Sequence, residues 1–190
     1  QNQERVLSSD AARMFFAEVY QLSREHEWTS DAHFTVDGTL VEAWASMKSF
    51  VRKGDGKPKK KDDDPGNPTV DFRGEKRSNA THQSTTDPQA VLYRKSGGQE
   101  SRLCFGAHVL MENRNGLCAD ITVHNPIAES EGKVALQQLD AHERLYEGVD
   151  PKTTGADKGY HHREVIQGLR DRGVSPHVAC REDRNVEGLD

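Results

Sequence analysis

Apolar and polar positions divide the chain into stretches of different texture. Met14, Phe15, Val19 and Leu22 recur at helical spacing behind Ser8, Ser9 and Asp10, which predicts a capped amphipathic helix over residues 8–25. His33-Phe34-Thr35-Val36 is a short β-favouring run ending at Asp37-Gly38, and Leu40, Trp44, Met47 and Val51 then share one face of a second predicted helix. Residues 53–70 are poor in apolar side chains and rich in Gly, Pro and charge, so they are expected to form a linker or loop. The polar run after it, from Asp71 to Pro88, holds Phe72 as its only large apolar residue.

The pattern changes again at Ala90. Ala90–Tyr93 is a brief apolar run, and residues 103–111 read as a strand joined through Asn113-Arg114-Asn115-Gly116 to a second strand over 117–123. Two β-rich runs around an Asn-Gly turn predict a hairpin. A helix is expected over 128–145 on Ala135, Leu136, Leu139 and Leu145, and Thr153–Ala156 then leads into Asp157. Val165, Ile166 and Leu169 mark a further helix stopped by Gly173, and Val174–Ala179 is the last strand. A hairpin followed by β-α units predicts a mixed α/β sheet with helices packed on it.

Composition narrows the classes. At 190 residues the chain suits one domain, and with 30% charged and 33% hydrophobic residues much of it is surface or loop. No apolar stretch approaches the roughly 18–20 residues that span a bilayer, and no secretory leader is recognisable, so no membrane partner is expected. Cys104, Cys118 and Cys180 lack a CxxC spacing and form an odd set, which fits reduced structural thiols in a cytoplasmic protein. The net charge of −5 is uneven: Lys48–Arg102 carries thirteen Lys/Arg against eight Asp/Glu, or +5, leaving −10 elsewhere. A basic insertion in an acidic domain is compatible with nucleic acid on one face, although a solvated loop would have the same charge.

Two acids share a setting. Phe34-Thr35-Val36-Asp37-Gly38 and Thr154-Gly155-Ala156-Asp157-Lys158-Gly159 each carry a strand-like run into an Asp, with glycine within two residues. Carboxylates on neighbouring strands can hold hard, oxygen-preferring Mg2+ for work on a phosphodiester. Taken singly, each is more often a turn residue or a helix cap than a metal ligand.

The wording around both acids is more specific. HFTVDGTLVEAWASMKSF from His33, DFRGEKRSNATHQSTTDPQAVLY from Asp71, and GADKGY from Gly155 together resemble bacterial insertion-sequence DDE transposases of the IS5/IS4 type, in order from about residue 30 to 180. The resemblance implies an RNase H-like mixed sheet flanked by helices, with a polar, basic insertion after the first strand and helix. It implies an N-terminal helical segment over 1–30, a catalytic domain over 31–180 with a flexible insertion at about 53–70, and a truncated tail over 181–190. Asp37 and Asp157 match the first two acids of the family's triad. They are the expected catalytic and metal-binding residues for Mg2+, with Mn2+ as a substitute. The partner implied is double-stranded DNA at transposon ends, in a bacterial cytoplasm, and a homo-oligomer is compatible with that activity. The third acid, a glutamate in a basic context, belongs further along than the 33 residues that follow Asp157. Glu164, Glu182 and Glu187 lack that context, so the third acid is read as absent and the chain as an incomplete, inactive fragment. His161-His162 also departs from the family, which usually has an acid there. The alternative is a non-catalytic DNA-binding remnant or domesticated binding module.

Lys76, Arg77, Lys95 and Lys158 lie in or beside the family-like blocks and are the expected phosphate contacts. Lys57, Lys59, Lys60 and Lys61 face Asp62-Asp63-Asp64 and neutralise locally. The nine histidines show no HExxH or HxH spacing, which weighs against a zinc hydrolase. His82 is singled out for testing because it sits in THQSTTDP, Asp87 is read as a turn cap, and Trp44 is placed in the core.

Overall fold

The computed structural model describes residues 10–54, 71–72, 75–146 and 151–180, with backbone alone for 71–72, 75 and 76. In order, the elements are α1 (Ala11–Glu25), β1 (His33–Glu42), a 3-10 turn (Met47–Ser49), β2 (Phe50–Arg52), β3 (Asp71–Phe72), β4 (Glu75–Lys76), β5 (His82–Ser84) and β6 (Val91–Tyr93). There follow β7 (Arg102–Glu112), β8 (Leu117–His124), α2 (Glu131–Leu145), β9 (Thr153–Ala156), a second 3-10 turn (Lys158–Tyr160), α3 (Arg163–Asp171) and β10 (Ser175–Val178). The fold is mixed α/β, a sheet flanked by helices, as the RNase H-like expectation requires. Residues 55–70 and 181–190, where the insertion and tail were expected, lie outside the described residues.

Contacts divide the chain into two compact units. The first comprises Gln1–Asp37, Val109–Ile121 and Gly132–Asp190. Its strands run in the order β10-β9-β1-β7, with β8 also paired to β7. β1, β9 and β10 are mutually parallel. Phe34 and Val36 of β1, Leu110 of β7 and Ala119 of β8 form the sheet's share of the core, closed by Ala135 and Leu139 of α2 and by Val165 and Leu169 of α3. A Cβ on Gly132 would lie 2.3 Å from Val165, and one on Gly168 would lie 2.6 Å from Leu136, so glycines let these two helices meet closely. Asp140 and Arg172 then tie α2 to the end of α3, with Nε–Oδ1 at 2.6 Å and Nη2–Oδ2 at 2.8 Å. α1 joins this core through Tyr20, whose hydroxyl lies 3.0 Å from Nε2 of buried His142. Burial pushes the Tyr20 phenol up, which keeps it protonated in that bond.

The second unit comprises Gly38–His108 and Thr122–Glu131. Here β6 pairs antiparallel with β7, and β2 pairs antiparallel with β5. Phe50, Ala90, Leu92 and Leu103 form its core, with Met47 and Phe105 packed against it. The THQSTTDP segment is structural here. Buried His82 stacks on Phe50 at 5.6 Å between ring centroids. Buried Ser84 accepts from the backbone N–H groups of Thr86 and Asp87, which makes a side-chain turn. Asn79 mimics a strand neighbour, its amide donating to Leu92 O and accepting from Leu92 N, both at 2.8 Å.

Three expectations are corrected. β1 continues through Asp37 to Glu42, so Asp37 lies within a strand and does not end one. No helix forms over 40–51: backbone pairing takes residues 40–42, and 47–49 make only one 3-10 turn. Trp44, expected in the core, is 98% exposed. The face of α1 carrying Met14, Phe15, Val19 and Leu22 is also exposed, and Tyr20 and Ser23 are the buried residues of that helix.

Candidate metal centre

Strand alternation sets the site. In β1, Phe34 and Val36 point into the core, so His33, Thr35 and Asp37 take the opposite face. In β9, Thr154 is buried and Ala156 packs on the core, leaving Thr153, Gly155 and then Asp157 on the other side. The parallel register pairs His33 with Thr153 and Thr35 with Gly155. The observed register ends at Thr35 and Gly155, two residues short of each acid: Asp37 continues β1, and Asp157 follows the end of β9. Both residues are exposed.

Side-chain contacts join β1 and β9 next to these residues. His33 Nδ1 lies 2.5 Å from Thr153 Oγ1. A Cβ on Gly155 would lie 3.0 Å from Thr35 Cγ2 and 3.4 Å from His33 Nε2, so only glycine lets β1 and β9 approach this closely. Thr35 Oγ1 donates to Asn113 Oδ1 at 2.9 Å, and Asn113 N donates to His33 O at 3.0 Å, which ties β1 to the turn between β7 and β8. Glu112, wholly buried, holds that turn by accepting from Arg114 N at 2.8 Å and Asn115 N at 3.0 Å.

The two acids are not equivalent. Asp157 is extended and opens the second 3-10 turn, where its Oδ1 accepts from Gly159 N at 2.7 Å. It therefore is a cap, as one reading of the sequence had it, and Oδ2 is the oxygen left facing outward. Among the described residues, no hydrogen bond or ion pair engages the Asp37 carboxylate. Two outward carboxylates fit a hard cation, since Mg2+ is commonly held by one or two carboxylates with water and substrate oxygens completing its shell. Among the described residues, no cluster of three or more His, Cys, Asp or Glu side chains could hold a metal.

The expected phosphate contacts are scattered. Lys158 directly follows Asp157 and is exposed. The Lys95 ammonium donates to Gly38 O at 3.0 Å, beside the residue that follows Asp37 in the chain. Arg77 is half-buried, and its Nη1 reaches the carbonyls of Met47 and Phe50 at 3.3 Å each. Lys76 lies on β4, where only the backbone is described. His161 and His162 are exposed, and the His162 side chain makes no capping bond to α3. Asp87 caps its turn by accepting from Gln89 N at 3.3 Å.

The thiols offer no competing centre, since burial pushes Cys104 and Cys118 up, away from the thiolate a nucleophile needs. No described helix is long and apolar enough to cross a membrane. Glu112 went unremarked in the sequence, although an acid placed directly before Asn-Arg-Asn-Gly was a signal for a turn acceptor. The parity of His33 and Thr35 with Asp37 was equally readable.

A mixed sheet with exposed aspartates in β1 and directly after β9, two neighbouring parallel strands, defines the class as an α/β domain with a candidate divalent-metal centre. The Transposase DDE domain profile matches residues 75–188, more than half of the chain, and the chain belongs to that family. The matched stretch includes Asp157 and leaves Asp37 outside it. No curated protein matches the sequence. Among solved structures, the chain is similar to a piggyBac transposase synaptic complex with hairpin DNA, at a TM-score of 0.38 and 8% identity over 81% of this chain and 24% of that one. It is also similar to a Mos1 transposase paired-end complex with the left transposon end, at 0.36 and 14% over 85% and 39%. For a Mos1 mariner paired-end complex with Mn, the values are 0.38 and 15% over 90% and 42%. The chain spans less than half the length of each of these proteins, and likenesses this distant assign no role.

Proposed function

We propose that this chain is catalytic-domain material of a bacterial insertion-sequence transposase, with residues 31–180 as the domain and Asp37 and Asp157 as its first two metal-binding acids. The observation that supports this reading is the parallel pairing of β1, which contains Asp37, with β9, which leads into Asp157. The residues fit Mg2+, or Mn2+ in its place. Such an ion, when bound, activates an attacking water or hydroxyl and stabilises the leaving oxygen of a phosphodiester. The chain's own part is to hold two carboxylates on a strand and a turn that the sheet fixes, so that little reorganisation is needed on binding. Lys158 and Lys95 are the phosphate contacts proposed for transposon-end DNA, with Lys76 and Arg77 from the same family-like block. A homo-oligomer in the bacterial cytoplasm is the assembly this activity suits.

The test is nicking of a plasmid that carries the sequences flanking the gene, with Mg2+ or Mn2+, beside salt-dependent binding to the same DNA and binding of Mn2+. The proposal expects DNA binding that Asp37→Asn and Asp157→Asn leave intact and Mn2+ binding that both weaken, with no nicking while the third acid is read as absent. Mn2+ binding indifferent to Asp37→Asn would overturn it and leave a non-catalytic DNA-binding module.

A further inference from the structure

On the face of the three parallel strands that carries Thr35, two imidazoles meet over Gly155. His177 of β10 is the register partner of Gly155, and Thr35 is its partner on the other side. His33 reaches Gly155 from the preceding rung, and its ring centroid lies 5.5 Å from that of His177, with the planes inclined by 49°.

The hydrogen bonds fix the chemistry of His33. Thr153 Oγ1 has one hydrogen and donates it to Ala32 O at 2.9 Å, because a carbonyl can only accept. In its 2.5 Å contact with His33, Thr153 must therefore be the acceptor, and Nδ1 carries the proton. Neutral His33 then holds a bare lone pair on Nε2, beside the empty Cβ position of Gly155. Among the described residues, no hydrogen bond or ion pair reaches His33 Nε2 or either ring nitrogen of His177. An imidazole whose far N–H is tied to an oxygen while its other nitrogen stays open is the arrangement metal-bound histidines use. Two imidazoles on one tetrahedral ion, with bonds of about 2.0 Å, bring their ring centroids to about 5 Å, close to the spacing observed.

We propose that His33 and His177 form a nitrogen-donor site for a borderline divalent ion of the Zn2+ or Cu2+ class, separate from the carboxylate pair. Thr153 is its positioning residue, and Gly155 keeps the space between the rings open. Nitrogen ligands favour Cu2+ and Zn2+ over Mg2+, so the two sites select different ions. This holds whether or not the acids serve transposition.

The experiment is calorimetric titration of the full chain with Zn2+ in saturating Mg2+, followed by Cu2+ electron paramagnetic resonance. One Zn2+ should bind, and either His33→Ala or His177→Ala should weaken it at least about tenfold, while Thr153→Val should weaken it by about tenfold through loss of the tautomer. The Cu2+ spectrum should show coupling to two nitrogens and lose one in each histidine variant. His177 is exposed, so its substitution leaves folding intact and keeps the test decisive. Zn2+ binding unchanged in His177→Ala, or abolished by Asp37→Asn with both histidines present, would overturn the proposal.

Discussion

Gly155 sits where three strands converge, and a single methyl group there tests how tightly β1 and β9 are drawn together. With Thr35 Cγ2 at 3.0 Å and the His33 ring at 3.4 Å from the added carbon, Gly155→Ala makes the Thr35 side chain give way. Such overpacking costs about 1–3 kcal/mol, to be read as a lower midpoint in urea unfolding. Glu112 is the second informative residue, since its carboxylate alone satisfies two backbone N–H groups of the hairpin turn. Glu112→Ala leaves both donors without that acceptor and should cost about 1–3 kcal/mol, while Glu112→Gln, which keeps one acceptor oxygen, should cost less. Equal losses in the two variants would show that the turn does not depend on the carboxylate. At this scale the sequence was half legible. Aspartates reached by β-favouring runs announced themselves, and Glu112 accepts from residues two and three positions on, but Gly155 is hemmed in by His33 and Thr35 from a distant part of the chain.

Elements whose signal is local came through intact. The Asn-Gly turn, the β9 run into Asp157 and the Gly173 stop of α3 all appear where the pattern put them. Residues 40–51 failed because Leu40, Trp44, Met47 and Val51 repeat at helical spacing by coincidence. Pairing with neighbouring strands takes residues 40–42 and 50–52, and that tertiary demand overrides an amphipathic pattern. α1 forms where the pattern predicts a helix, but its regularly spaced apolar residues are exposed. Phe15 is 72% exposed, so Phe15→Ser should shift stability by less than about 0.5 kcal/mol, whereas a core position would lose several times that. The α2–α3 clamp gives a pH test. The Arg172 guanidinium beside Asp140, chiefly through its hydrogen bonds, holds the carboxyl below its usual range. A depressed folded value means the stabilisation is present above the unfolded value and fades as pH falls through the folded one. Because Asp140 is 42% exposed, solvent screening limits the clamp to about 0.5–1 kcal/mol. Asp140→Asn should lose that amount at neutral pH and flatten the acid limb of stability against pH. An unchanged acid limb would remove the clamp from the account.

Across the whole molecule, the mixed α/β class followed from the order of elements, and the family from three blocks of wording. The pairing of β1 with β9 did not, because no local pattern states which strands become neighbours or in which register. The proposal that the two acids share an ion rests on that pairing, since Asp37 lies in β1 and Asp157 follows β9. The central claim is therefore that Asp37 and Asp157 act on the same ion. The most direct measurement is Mn2+ binding, followed by electron paramagnetic resonance, in the parent chain, Asp37→Asn, Asp157→Asn and the double variant. Groups that share one ligand are not additive. Each single change should weaken Mn2+ at least about tenfold, and the double should be little worse than the weaker single. If one substitution leaves Mn2+ binding untouched, or if the two losses simply add, the acids do not form one centre and the account is wrong.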